Sequence, residues 1–149
     1  MASLVRILLV DDFEPWRRFV ASLLRKNPEW QVIAEVSDGF QAVQKAEELQ
    51  PDLIVLDIGL PRLNGIEAAI SVRKVAPKSK ILFLSANRSS DFVLAALDAG
   101  AHGYVLKSDG ASELLMAVET VVKGTRFFSS TFAGFDFTPP EERSLDEIR

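Results

Sequence analysis

Three carboxylates in this 149-residue chain stand directly after aliphatic runs: Asp11 and Asp12 after "VRILLV", and Asp57 after "LIVL". An aspartate beside such a run is costly to bury alone, because an unpaired buried charge is driven to take up a proton. Two or three carboxylates a few ångströms apart repel by about 1–4 kcal/mol per pair, depending on the local dielectric. A hard divalent cation removes that conflict. Mg2+ takes oxygen ligands, typically one or two carboxylates with waters and phosphate oxygens. The residue types therefore propose a Mg2+ site, with Mn2+ as the alternative ion, open to a phosphoryl group.

Two further groups close apolar runs. Ser85 ends "KILFLS" with a hydroxyl, and Lys107 ends "GYVLK" with a point cation. A hydroxyl, an ammonium and a dication around a carboxylate form a charge-stabilising cradle for phosphoryl transfer. An aspartate can itself be the nucleophile and become an aspartyl phosphate. Each residue also has a plainer role. Asp11 or Asp12 suits a helix N-cap, Ser85 a loop hydroxyl, and Lys107 a solvated strand end. Five such placements at once favour the chemical reading.

These side chains converge only if the elements carrying them do. Strand-like runs fall at 5–10, 30–36, 52–57, 80–85 and 103–107. Helical spacing follows each one. Trp16, Phe19, Val20, Leu23 and Leu24 form one helix face, with Pro15 suited to its first turn. Ala42, Val43, Ala46 and Leu49 mark a second helix, and Ile66, Ala69, Ile70 and Val75 a third. Phe92, Val93, Ala96 and Leu97 mark a fourth, ended by Gly100. Leu114, Leu115, Val118, Val121 and Val122 mark a fifth, ended by Gly124. Five strand–helix units with strands buried on both faces imply a parallel sheet with right-handed crossovers. The expected fold is α/β: a doubly wound, five-stranded parallel sheet of order 2-1-3-4-5, flavodoxin-like. Its crevice lies at the carboxyl ends of strands 1 and 3, where the winding reverses. Asp11, Asp12 and Asp57 all fall there.

Composition narrows the alternatives. The length favours one domain, which buries about two-thirds of its unfolded surface. Hydrophobic residues are 48% and charged residues 26%, with a net charge of −4, so there is no broad basic footprint for nucleic acid. The absence of cysteine excludes disulfides and thiolate chemistry, and the single histidine, His102 in "AGAHGY", excludes a multi-histidine metal site. His102 reads as a loop residue. The start "MASLVRILLVDD" is too short in apolar length for a signal peptide, and no run approaches a membrane span. A cytoplasmic protein with no membrane partner is expected.

The motifs "LLVDD", "LIVLDIGLPRLNG", "LFLSA" and "GYVLKS", in this order, resemble the receiver domain of two-component response regulators (CheY-like), across residues 5 to about 124. The resemblance implies a phosphorylation-dependent switch and not a turnover enzyme. It implies that Asp57 accepts phosphate from a histidine kinase or phosphotransfer protein. Asp12 would bind Mg2+ directly, Asp11 mainly through water, and the backbone carbonyl of Gly59 would be a further ligand. Lys107 would pair with the phosphoryl oxygens. Ser85 would hydrogen-bond the phosphoryl group, and Tyr104 would turn inward behind it. Ala86 is small beside Ser85, which suits open access, and Pro61 and Gly65 match the loop after the phosphoacceptor. The chain departs from the pattern at Ser108, where most receivers have proline, leaving the isomer of the Lys107–Ser108 bond open. Gly59 has no side chain to shield an acyl phosphate and is expected to affect its lifetime.

After Gly124 the character changes. Residues 125–149 carry five of the ten phenylalanines, two adjacent prolines and a charged end, and read as an extension or linker to a receiver spanning 1–124. "AVETVVKGTRFFSS" is similar to the end of NarL-type receivers. Thr138, Pro139, Glu141, Leu145 and Ile148 faintly echo the start of the helix-turn-helix domain that usually follows them. No recognition helix is present, so no DNA binding is expected of this chain alone; a truncated transcription regulator and a stand-alone receiver both fit. Phe127, Phe128, Phe132, Phe135 and Phe137 either pack back on the domain or form an apolar patch for a homodimer or an output partner. Packing back is favoured for Phe127 and Phe128. Two other classes compete. A phosphohydrolase of the haloacid dehalogenase type would need D-x-D after strand 1, where the chain has Asp11-Asp12-Phe13-Glu14. A flavodoxin-like cofactor binder would need a phosphate-cradling loop there, where "DDFEPW" is acidic.

Overall fold

Strand and helix alternate as the apolar spacing dictates. In the computed structural model, which describes residues 4–135, β1 (Val5–Val10), β2 (Trp30–Val36), β3 (Leu53–Leu56), β4 (Lys80–Ser85) and β5 (Gly103–Leu106) alternate with α1 (Glu14–Leu24), α2 (Gly39–Leu49), α3 (Gly65–Val75), α4 (Ser90–Asp98) and α5 (Gly110–Val122). A sixth strand, β6 (Phe127–Phe128), follows α5 and pairs parallel to β5. The expected five-stranded sheet is therefore corrected to six parallel strands, in the order β2-β1-β3-β4-β5-β6. The first five keep the order 2-1-3-4-5. The physical reason for the sixth is local: β5 would otherwise be an open edge with unpaired backbone groups. The chain leaving α5 pairs with it, as Phe127 N–H donates to His102 C=O and Ser129 N–H to Tyr104 C=O.

Alternating side chains divide the core between the two sheet faces. Ile7, Leu9, Val55, Leu82, Leu84 and Val105 pack against Val20 and Leu24 of α1 and Leu114 and Val118 of α5. Leu8, Val10, Ile54, Leu56, Phe83 and Tyr104 pack under α2, α3 and α4, whose contact faces carry Ala42, Ala46, Ala68, Ala69 and Ala96. Small residues there let those helices approach the sheet closely. The α1 stripe is narrower than its spacing predicts: Val20, Leu23 and Leu24 are buried, while Phe19 is exposed and Trp16 half-buried.

Caps and turns end the elements. Asp38 accepts from the Gln41 amide at the α2 N-terminus, Asn64 from the Glu67 amide at α3, and Ser89 from the Asp91 amide at α4. Pro15 lies in the first turn of α1, whose N-cap is Phe13 with no side-chain cap bond. Asp11 instead accepts from the Phe13 amide at 2.9 Å. No peptide bond among the described residues is cis, so Lys107–Ser108 is trans, and residues Lys107–Asp109 form a 3-10 turn leading into α5. No described helix is long and apolar enough to cross a membrane. Phe137 and the Thr138–Ile148 echo lie outside the described residues.

Candidate functional site

Register sets the site. Val10 pairs with Leu56, so the next residues, Asp11 and Asp57, emerge side by side from the carboxyl ends of β1 and β3. Backbone bonds hold both: the Asp11 amide donates to Val36 C=O and the Asp57 amide to Val10 C=O, each at 3.1 Å. Asp11, Asp12 and Asp57 each place a carboxylate oxygen within 4.8 Å of the other two. Asp11 and Asp57 are buried, at 3% and 8% exposure, while Asp12 faces solvent.

One cation reaches into the cluster. The Lys107 ammonium lies 2.8 Å from Asp11 Oδ2 and 3.3 Å from Asp57 Oδ2. Burial works against its charge, but the bonds to Asp11 and the charge of Asp57 outweigh that and hold it above the ordinary lysine range. Asp57 is raised as well, which for an acid disfavours the charged form. Burial raises its carboxyl, and Lys107 with the Gly59 backbone bond does not fully offset burial and the charge of Asp11. Three carboxylates and one ammonium leave a formal charge of −3 + 1 = −2 in a cluster of hard oxygens. A hexacoordinate dication of the Mg2+ kind fits that donor set and that charge.

The sequence-derived neighbours fall on the same rim. Ser85 pairs in register with Leu106, the residue before Lys107. It is buried, and its hydroxyl accepts from the Asn87 amide at 3.1 Å. Tyr104 is buried with its ring against Phe83, and its hydroxyl donates to Asn87 C=O at 2.8 Å. Burial raises the Tyr104 phenol, a bond with Ser85 lowers it, and the charge of Asp57 raises it further. Gly59 lies in the loop after Asp57, and a Cβ built on it meets nothing within 4 Å. Gly65 is packed tightly: a Cβ there would stand 2.0 Å from the Asp57 carbonyl oxygen. That close approach lets the loop after β3 fold back and fix Asp57.

Two contributors, Asn87 and Arg62, were not read from the sequence. Asn87 bridges Ser85 and Tyr104 through its backbone. It sits two residues beyond Ser85, a spacing that suits such a turn. Trp16 places its ring 5.8 Å from the Lys107 ammonium. As the fourth residue after Asp12 in a helix entered directly, it falls one turn above the site. Arg62, at φ +69°, reaches Asp38 at 3.5 Å and lies 5.2 Å from the Phe40 ring, tying the loop after β3 to α2. No local signal marked that contact.

With this geometry established, similarity to known proteins is informative. Residues 7–119 match the response regulator receiver domain family. The transcriptional regulatory protein DegU of Brevibacillus brevis is 37% identical over 120 residues, covering 80% of this chain and 51% of DegU. LiaR of Bacillus subtilis (strain 168) is 36% identical over 131 residues, covering 88% of this chain and 62% of LiaR. The chain thus spans about half to three-fifths of the length of these curated relatives. Among solved structures, a LuxR-family two-component response regulator from Aurantimonas sp. SI85-9A1 superposes with a TM-score of 0.84 at 37% identity, covering 88% of this chain and 94% of that one. The NarL signal receiver domain from Mycobacterium tuberculosis gives 0.78 at 30% identity, covering 82% and 98%. A switch-point cluster of three aspartates bridged by a strand-end lysine, on a sheet of this order, agrees with these likenesses: the chain belongs to the receiver domain family of two-component response regulators.

Proposed function

We propose that Asp57 is the phosphoacceptor of this receiver, that its donor is a histidine kinase or phosphotransfer protein, and that Mg2+ assists. The supporting observation is the convergence of Asp11, Asp12 and Asp57 within 4.8 Å, with Lys107 bridging two of them. Asp57 Oδ attacks the phosphorus of a phosphohistidine. The new P–O bond forms as the P–N bond breaks, and the imidazole nitrogen keeps the electron pair and takes a proton from water. Asp12 and Asp57, with the Gly59 carbonyl and Asp11 through water, would hold the ion, which when bound supplies positive charge beside the transferring oxygens. Lys107 neutralises a phosphoryl oxygen as it leaves its contact with Asp57. Ser85 gives up its bond from the Asn87 amide to donate its hydroxyl to the phosphoryl group, with Tyr104 buried behind it.

Phosphate and metal then shift a two-state equilibrium, read by a partner or output module. Residues 1–124 serve as the receiver and 125–149 as its extension. DegU and LiaR are named transcriptional regulatory proteins, which favours transcriptional output through a further module. The test is incubation with acetyl phosphate and Mg2+ followed by intact-mass spectrometry. One phosphoryl adduct, lost in Asp57→Asn, is expected. Continuous phosphate release insensitive to Asp57→Asn would overturn the reading in favour of a hydrolase.

A further inference from the structure

The segment after α5 reaches Leu106 and Tyr104 from the sheet edge. Its backbone ladder to β5 runs through Phe127 and Ser129. Where the next rung would ordinarily use a backbone carbonyl, the Ser129 side chain serves instead: its hydroxyl oxygen accepts from the Leu106 amide at 2.7 Å, and Ser129 is 1% exposed. Leu106 is both the residue before Lys107 and the register partner of Ser85. A 3-10 turn at Ser130–Phe132 then drives Phe132 into the core, at 4% exposure. There its ring meets Tyr104 edge-on, 5.7 Å between centroids at 86°. Tyr104 is thus held between Phe83 and Phe132, with its hydroxyl on Asn87. Two polar contacts pin the turn: Thr131 Oγ1 to Asp109 at 3.0 Å, and the Ser130 amide to the Glu113 carboxylate at 3.3 Å. Tyr104 cannot leave its buried position without vacating the partner that Phe132 packs on, and Phe132 cannot leave without opening a void beside Tyr104.

We propose that Ser129 and Phe132 are positioning residues for phosphoryl acceptance at Asp57. Ser129 fixes the carboxyl end of β5, and with it Lys107, while Phe132 holds Tyr104 inward. Docking of residues 127–135 on the sheet edge and phosphorylation of Asp57 therefore stabilise one another. The proposal rests on the phosphoacceptor reading above and adds its control by the segment that leads away from the domain.

The experiment uses the full chain, comparing wild type with Ser129→Ala, Ser129→Thr, Phe132→Ala and Phe132→Leu, and with Met116→Ala on the exposed face of α5 as a control. Affinity for beryllium trifluoride with Mg2+ is measured by calorimetry, labelling by acetyl phosphate by intact mass, and amide exchange across 127–132 with and without beryllium trifluoride. Affinity is expected to fall at least about fivefold in Ser129→Ala and Phe132→Ala, the lower end of typical coupling between sites. Ser129→Thr, which keeps the accepting oxygen, retains it, as does Met116→Ala. By reciprocity, beryllium trifluoride slows exchange across 127–132 in the wild type. Should an alanine variant fail to fold, Phe132→Leu carries the test, since it keeps burial and loses the edge-on ring. A wild type that is not labelled overturns the phosphoacceptor reading and this inference with it. A labelled wild type whose folded variants keep wild-type affinity, with exchange across 127–132 unmoved, overturns this inference alone.

Discussion

The Lys107 ammonium stands closer to Asp11 than to Asp57, at 2.8 Å against 3.3 Å. Its shorter bond goes to the carboxylate that does not react in the proposed chemistry, which leaves the Asp57 oxygen the less committed of the two. Lys107→Met keeps the apolar stem beside Trp16 and removes the charge. Without Mg2+ it is expected to lose about 1–3 kcal/mol of stability, the usual cost of leaving a buried partner unpaired. Mg2+ should recover most of that loss. Urea melts with and without Mg2+ decide it; a variant as stable as wild type in metal-free buffer would mean that the pair contributes nothing.

Asp12 is the exposed member of the cluster and its charge adds to the repulsion there, so Asp12→Asn should raise metal-free stability by about 1 kcal/mol. In the wild type, Mg2+ at 100 times its Kd adds about 2.7 kcal/mol. Asp12→Asn should abolish that gain. A thermal-shift titration reads both quantities, and an undiminished Mg2+ response in the variant removes Asp12 from the ligand set.

Two glycines that follow Asp57 carry opposite demands. A Cβ at Gly65 would stand 2.0 Å from the Asp57 carbonyl oxygen, whereas one at Gly59 meets nothing within 4 Å. Gly65→Ala is therefore expected to cost about 1–3 kcal/mol as an overpacked site and to slow acetyl phosphate labelling by displacing Asp57. Gly59→Ala restricts the unfolded chain without a clash and should stabilise by about 0.4–1 kcal/mol, while changing the lifetime of the phosphoryl group. Chemical denaturation of both variants distinguishes these outcomes; equal effects would mean that the two positions do not differ as the packing implies.

Much of this arrangement was legible before any coordinates. Strands β1, β3, β4 and β5 announce themselves as largely apolar runs buried over most of their length, while β2, an edge strand with Gln31 and Glu35 exposed, is legible only from its shorter apolar stretch and its place between two helices. The five strand-end polar residues follow from those runs, since parallel topology sends every carboxyl end to one rim. Strand β6 was not legible. Two phenylalanines give no periodicity, and what makes them a strand is the open edge of β5, a property of the assembled sheet. Ser129 escaped for the same reason: its role depends on the Leu106 amide, 23 residues earlier in the chain. The α1 stripe was overread at Phe19, because helical spacing specifies a face but not how far the neighbouring helix α5 covers it.

Trp16 offers an optical readout of the site. Its indole Nε1 is buried with no hydrogen-bond partner among the described residues, and its ring lies 5.8 Å from the Lys107 ammonium. Trp30 begins β2, at the far end of the sheet from the carboxylates. Movement of Lys107 toward a phosphoryl oxygen changes the field on the Trp16 ring alone. Beryllium trifluoride with Mg2+ is therefore expected to alter tryptophan emission in the wild type and in Trp30→Phe, and not in Trp16→Phe. A signal that survives in Trp16→Phe would contradict this assignment.

His102 sets a pH dependence remote from Asp57. Its Nδ1 accepts from the Ile81 amide at 3.1 Å, which requires that nitrogen to be unprotonated. Burial lowers its affinity for a proton, and the positive charges of Lys80, Arg126 and Arg73 lower it further. With the folded pKa below the ordinary value, the unfolded chain binds the proton more readily, so stability rises with pH across this titration. The contribution is fully present above about pH 6.5, the unperturbed histidine value, and is lost as pH falls through the lower folded value. His102→Asn keeps an acceptor oxygen for the Ile81 amide and removes the titration. The urea midpoint of the wild type should therefore drop relative to that of His102→Asn between pH 7.5 and pH 5.5. Parallel pH profiles for the two proteins would show that His102 is protonated equally in both states.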